Sequence, residues 1–192
     1  MAKLIFATNN QHKVEEIQFA IGNGIEVVSL KEAGINIDIP EPHYSLEANA
    51  SEKSKTIYQL TGTDCFSEDT GLEVEALNGE PGVRSARYAG EDKAFEKNIE
   101  KLLLKLGNNT NRKARFRTVI SLISGGKEFL FEGVCEGEIS VVRKGGKGFG
   151  YDPVFIPAGS DRSFAEMSME EKNKFSHRKK AVDKMIAFLK LK

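Results

Sequence analysis

Two adjacent carboxylates, Glu68 and Asp69, stand in the segment SEDTGL, between an apolar DCF and an alternating LEVEAL. These flanks predict a buried strand that ends at the acidic pair and gives way to a glycine turn, and strand ends are where α/β proteins commonly place their ligands. A carboxylate there can hold Mg2+, which takes oxygen ligands and often relies on one or two protein carboxylates plus substrate phosphates. Glu41, stiffened between Pro40 and Pro42 just ahead of a helix, is a second oxygen donor for such an ion. Either acid, read alone, is equally a solvated surface group.

Positive groups with matching chemistry lie in two other places. TNNQHK, Thr8 to Lys13, falls at a strand-to-helix junction, where free backbone N–H groups and the helix dipole favour an anion. Thr8 and Asn10 add neutral hydrogen bonds and Lys13 adds a point charge. The stretch lacks glycine and does not match the P-loop pattern, so an ordinary helix cap explains it too. SHRKK, Ser176 to Lys180, crowds basic-type side chains into the first turn of the last helix, where each exposed positive charge costs about 0.3–1 kcal/mol. That is either a solvated basic face or an anion site.

RKGGKGFGYDPVF, Arg143 to Phe155, has its glycines at 145, 146, 148 and 150, so it fits no G-x-G-x-x-G pattern, and no helix follows it. It does present Phe149 between two glycines and Asp152 before Pro153, an aromatic face and a fixed acceptor suited to stacking a base and reading its edge. Glycine neighbours let a flat ligand approach the backbone. The alternative is a plain connection with a core Phe.

The elements that must position these groups follow from periodicity. KLIFAT predicts a strand and leads into a helix with Val14, Ile17 and Ile21 on one stripe and Gly22 as stop. IEVVSL predicts a second strand. A helix runs from Leu46 to Thr61, with Ser45 as cap and Gly62 as stop, and puts Asn49 and Lys53 on one face. A third helix, DKAFEKNIEKLLLKLG, takes Asp92 as cap; ARFRTVISLIS, KEFLFEGVCEG and EISVV predict an antiparallel run. Ser168 and Glu171 form a capping box ahead of Lys172, and Val182, Met185, Ile186 and Leu189 stripe the terminal helix. The fold class predicted is α/β: helices flanking a mixed, partly antiparallel sheet, in one domain over residues 1–192.

The 28 basic and 28 acidic residues cancel, which removes the global field that draws proteins onto nucleic acid or anionic membranes. No apolar run has the length of a signal peptide or a span, so a cytoplasmic location is expected. Cys65 and Cys135 have no zinc spacing to the histidines and read as buried thiols.

Taken together, TNNQHK, SEDTGLEVEALNGEPGVRSARYAG, GFGYDPVF and FAEMSMEEKNKFSHR, in this order across essentially the whole chain, resemble the inosine triphosphate pyrophosphatase family of non-canonical purine nucleotide hydrolases. The resemblance implies a two-lobed subunit with a central cleft, a homodimer, and Mg2+-dependent hydrolysis of ITP, dITP and XTP to the monophosphate and pyrophosphate. By matching positions, Thr8, Asn9, Asn10, Gln11, His12 and Lys13 would hold the triphosphate, helped by Lys53. Asp69 would bind metal and accept the proton of the attacking water, Glu41 would be the second metal ligand, and Thr70 would contact substrate. Phe149, Gly150, Tyr151, Asp152, Lys172, His177 and Arg178 would form the nucleoside pocket. The chain departs from the family pattern at Asn9, where glycine is frequent, at Glu68, where some members carry aspartate, and at Ala48.

Two other readings compete. A nucleotide-sensing or RNA-binding module without catalysis would use the 143–155 loop and the SHRKK cluster, but leaves the acidic sites unexplained. A pyrophosphatase for modified pyrimidines would share the chemistry and differ in the base pocket.

Overall fold

The apolar run Lys3–Phe6 forms β1 and buries all but its first side chain. Asn10 then starts α1, Gln11–Ile21: its Oδ1 accepts the Lys13 N–H at 3.3 Å, supplying one partner that the first turn of a helix lacks. Val14, Ile17 and Ile21 are buried, as their spacing predicts. β2, Glu26–Ser29, returns parallel to β1. α2, Leu46–Thr61, opens on Ser45, whose side chain accepts the Ala48 N–H, and closes on Gly62 in the left-handed region. The structure is a computed structural model that describes residues 3–22 and 25–191.

β3, Cys65–Val74, pairs parallel with β1 and antiparallel with the short β4, Pro81–Gly82. α3 follows at Phe95–Leu106, then β5, Lys113–Ser124, and β6, Lys127–Ile139, joined by Gly125 and Gly126, both at positive φ. A two-residue connection between sheet neighbours makes this a hairpin. β7, Phe155–Pro157, is antiparallel to β6, and α4, Met169–Asn173, and α5, His177–Lys190, complete the chain. Strand order is β2-β1-β3-β5-β6-β7, with β4 beside β3: a mixed sheet flanked by helices.

The structure differs from the sequence expectation at three places. β3 does not end at Glu68 and Asp69 but runs on to Val74, because Leu72 and Val74 bury a face while Leu72 and Glu73 pair with β4, which outweighs the weakening by Gly71. EISVV is not a separate strand: β6 continues through Gly137, where any Cβ would lie 2.3 Å from the Ile156 carbonyl oxygen, and Val141 and Val142 are exposed. Asp92 is not the cap of α3; Ala94 holds that position, and Asp92 instead pairs with Lys97 at 2.5 Å.

The chain divides into two compact units. The first comprises Met1–Asp69, Thr118–Gly133 and Arg178–Lys192; its core includes Phe6 stacked on Phe66 at 4.6 Å, with Ile17, Leu122 and Met185. The second comprises Thr70–Arg117 and Val134–His177, packed around Leu72, Ile99, Leu102, Phe155 and Phe164. Among the described residues no helix is long and apolar enough to cross a membrane. Cys65 and Cys135 are buried free thiols, and burial pushes the Cys65 thiol up to about 12. The thiolate is the reactive form. Ellman's reagent at pH 8 is therefore expected to find no fast-reacting thiol in the native protein and both after denaturation; prompt native labelling would contradict this burial.

Candidate active site

Within the first unit, successive residues of β3 point to opposite faces, so Glu68 and Asp69 serve different environments. Glu68 is fully buried. Its Oε2 accepts the Arg178 Nε–H at 2.9 Å, Oε1 accepts from Arg178 Nη2 at 3.3 Å, and the Lys13 ammonium lies 2.6 Å from Oε1. Arg178 Nη1 also pairs with Glu16, a buried acid of α1. Burial alone raises a carboxyl, yet Arg178 and Lys13 hold that of Glu68 well below its usual range. With both oxygens committed to cations, Glu68 is an anchor for Lys13 and Arg178 rather than a proton acceptor.

Asp69 is differently placed. Its Oδ2 accepts a hydrogen bond from Asn49 Nδ2 at 3.2 Å, and its Oδ1 faces the Lys53 ammonium at 3.5 Å. Burial, joined by the charges of Glu41 and Glu68, raises the Asp69 carboxyl above its ordinary value against the pull of Lys53 and Lys13. A raised carboxylate is a better base at neutral pH. Lys53 also meets Glu41 Oε1 at 2.5 Å; burial pulls its ammonium down, but Asp69 and Glu41 more than offset this.

Glu41 and Asp69 thus converge on one cation, here the chain's own ammonium. Among the described residues no group of three His, Cys, Asp or Glu side chains could hold a metal. Two convergent carboxylates match the donor set of Mg2+, which keeps waters and takes phosphate oxygens in its other positions. The residues present fit that ion.

The TNNQHK junction is built by its own polar side chains. Asn10 N–H donates to Thr8 Oγ1 at 3.2 Å, and Asn9 Nδ2 donates to the Ile37 carbonyl at 2.8 Å, tying the loop down. Gln11 and His12 are exposed on the first turn of α1. The structure therefore brings Lys13, Lys53, Glu41, Asp69 and Arg178 into one charged network and leaves Gln11 and His12 outside it. Sequence reasoning missed Glu16, although its place one turn from Lys13 and beside Ile17 puts it on the buried stripe of α1.

In the second unit the glycine-rich loop is held by Asp152. Its buried carboxylate accepts the Phe149 N–H at 3.0 Å and pairs with Lys172 at 2.6 Å through the same Oδ2. Sequence reading gave Asp152 to the edge of a base; the geometry commits Oδ2 to the loop and to Lys172. The Lys172 ammonium lies 5.4 Å from the centroid of the half-buried Phe149 ring and 5.1 Å from that of Phe164, within cation–π range. Tyr151 is buried and donates its O–H to the Ser85 carbonyl at 2.9 Å. His177 is buried against Phe116, ring centroids 4.6 Å apart. Thr70 and Gly150 are half-buried. Gly148 has φ of 74°, and a Cβ there would lie 2.0 Å from Asp152 Oδ2. Gly148→Ala is expected to destabilise the protein by about 1–3 kcal/mol, as overpacking and left-handed strain do. A urea melt checks this, and an unchanged midpoint would refute the tight fit.

Comparison with known proteins gives a consistent picture. The model of the Ham1 family matches residues 4–188. A dITP/XTP pyrophosphatase of Porphyromonas gingivalis is 50% identical over 190 residues, covering 98% of each chain. Its counterpart from Flavobacterium johnsoniae is 49% identical over 187 residues, covering 97% of each. Among solved structures, the Staphylococcus aureus Ham1 protein superposes with a TM-score of 0.88 at 41% identity, covering 98% of each chain. A HAM1 protein from Coxiella burnetii gives a TM-score of 0.90 at 33% identity over both full lengths.

Proposed function

The chain belongs to the Ham1 family, and from that premise we propose that it hydrolyses non-canonical purine nucleoside triphosphates (ITP, dITP and XTP) to the monophosphate and pyrophosphate, cleansing the nucleotide pool. The observation that carries this reading is the pair Glu41 and Asp69 closing on a single cation, the Lys53 ammonium. The whole chain serves as one pyrophosphatase domain, working in the cytoplasm as a homodimer.

In this reading Glu41 and Asp69 hold Mg2+, which when bound supplies neutralisation of the charge that develops on the phosphates. Lys13, Lys53 and the Thr8–Gln11 junction, with His12 at its rim, bind the triphosphate. Asp69 takes a proton from the water that attacks, and its raised carboxyl suits that role. In the second unit, Phe149 stacks on the base with Gly150 clearing space, while Asp152, Tyr151 and Lys172 hold the loop in shape, and Thr70 and His177 line the nucleoside. Arg178, fixed by Glu68 and Glu16, and nearby backbone N–H groups suit a 6-oxo group. Adenine, with a 6-amino group, leaves such donors unmatched at about 1–3 kcal/mol.

The RNA-binding alternative draws on the 143–155 loop and the SHRKK cluster. Arg143, Lys147 and Lys180 are exposed, but His177 and Arg178 are buried, Arg178 is held by Glu68 and Glu16, and the alternative gives no role to the convergence of Glu41 and Asp69. A panel of ITP, dITP, XTP, ATP and GTP with Mg2+ and pyrophosphate detection tests the proposal. Release is expected to be about 5- to 160-fold faster from ITP and XTP than from ATP, the ratio that ~1–3 kcal/mol supports. Equal rates on ITP, XTP and ATP would sink the specificity, and no release at all would sink the activity.

A further inference from the structure

Asn49 lies one helical turn before Lys53 on α2 and is 1% exposed. A side-chain amide offers an acceptor oxygen and two N–H donors. Here all are placed: Oδ1 accepts the His43 N–H at 3.0 Å, while Nδ2 donates to the His43 carbonyl at 3.3 Å and to Asp69 Oδ2 at 3.2 Å. A flipped amide would set donor against donor and oxygen against both a carbonyl and a carboxylate, so one orientation is locked. The clamp grips both peptide groups of His43, two residues beyond Glu41 with only Pro42 between. The proline ring fixes φ, so a hold on His43 is passed back to the backbone of Glu41.

We propose that Asn49 is a positioning residue that ties the Glu41 loop to the Asp69 carboxylate and so sets the spacing at which the two acids meet a divalent cation. The inference rests on the function proposed above. The helical backbone bond of Asn49, its N–H to the Ser45 carbonyl, can be supplied by any residue; the three side-chain bonds cannot. Aspartate could accept from His43 but not donate to the carbonyl or to Asp69, and serine lacks the reach and the second donor. Mg2+ demands near-ideal octahedral geometry, so a small error in carboxylate spacing is felt directly.

The test measures Mn2+ binding to nucleotide-free protein by electron paramagnetic resonance, together with kcat and KM for ITP, in wild type, Asn49→Ala and Pro42→Gly. Loss of a partner that orients a metal ligand costs about 10–100-fold in metal affinity or activity. Asn49→Ala is expected to weaken Mn2+ binding and lower kcat within that range, with KM for ITP changed by less than about threefold. Pro42→Gly, at an exposed position, is expected to fold normally and to show a smaller loss of the same kind. A folded Asn49→Ala with wild-type Mn2+ affinity and kcat, or with its loss confined to KM, would overturn the inference. Should Asn49→Ala fail to fold, wild-type behaviour of Pro42→Gly would overturn it. Absence of turnover in the wild type would overturn the proposed function, while the Mn2+ measurement would still decide the role of Asn49.

Discussion

Asp69→Asn is expected to lower kcat on ITP by about 10^2–10^4-fold, the usual contribution of a positioned general base, and more if metal binding is lost with it. The substitution is isosteric and removes one charge. What it removes in the folded state is a carboxylate that burial disfavours, so the fold has little to lose. Lys53 keeps Glu41 at 2.5 Å and is not stranded. Thermal melting within a few degrees of wild type is the expected companion result. The two readouts together separate chemistry from structure: a kcat within tenfold of wild type in a folded variant would remove Asp69 from the role of base. Glu68→Gln makes a useful contrast, since its neighbour holds a carboxylate that is already committed and should fail mainly through stability.

Much of this was legible because it is local. Asn10, Ser45 and Gly62 mark helix ends by interactions that reach only a few residues, and a four-residue spacing suffices to put Asn49 and Lys53 on one face. The path of β3 was legible only in part: the alternation of LEVEAL and the turn residues NGEPG are local signals, but Gly71 reads as a strand end, and the pairing of Leu72 and Glu73 with Gly82 and Pro81 carries the strand past it. The charge network was not legible at all. Arg178 meets Glu16 across 162 positions and Glu68 across 110, and no window of sequence contains such a pair. Asp152 adds a contact that no window of sequence shows. Its fixed place before Pro153 suggests a ligand acceptor, and its Oδ2 also pairs with Lys172, 20 residues on. Chemistry-bearing residues could be named one by one; their division into anchors and actors required the partners.

The largest stability effect is expected at Glu68. Removing one member of a buried ion pair leaves the other charge without compensation, at a cost of about 3–5 kcal/mol. Glu68→Gln keeps the shape but sets an N–H donor among the donors of Arg178 and Lys13. For a chain of this size each kcal/mol lowers Tm by about 2–4 °C, so a fall of roughly 6–20 °C is expected. Arg178→Met should be as severe, since it strands Glu68 and Glu16 together. If the cost is charge imbalance, the double variant must be less destabilised than the sum of the two, by about 2 kcal/mol or more, because neighbours in one network do not add. Glu16 stays behind in the double variant without its arginine, which keeps recovery incomplete. Urea melts of the four proteins measure the coupling directly. Additive losses would mean that Glu68 and Arg178 matter for packing alone, and the account of Glu68 as an anchor would fall.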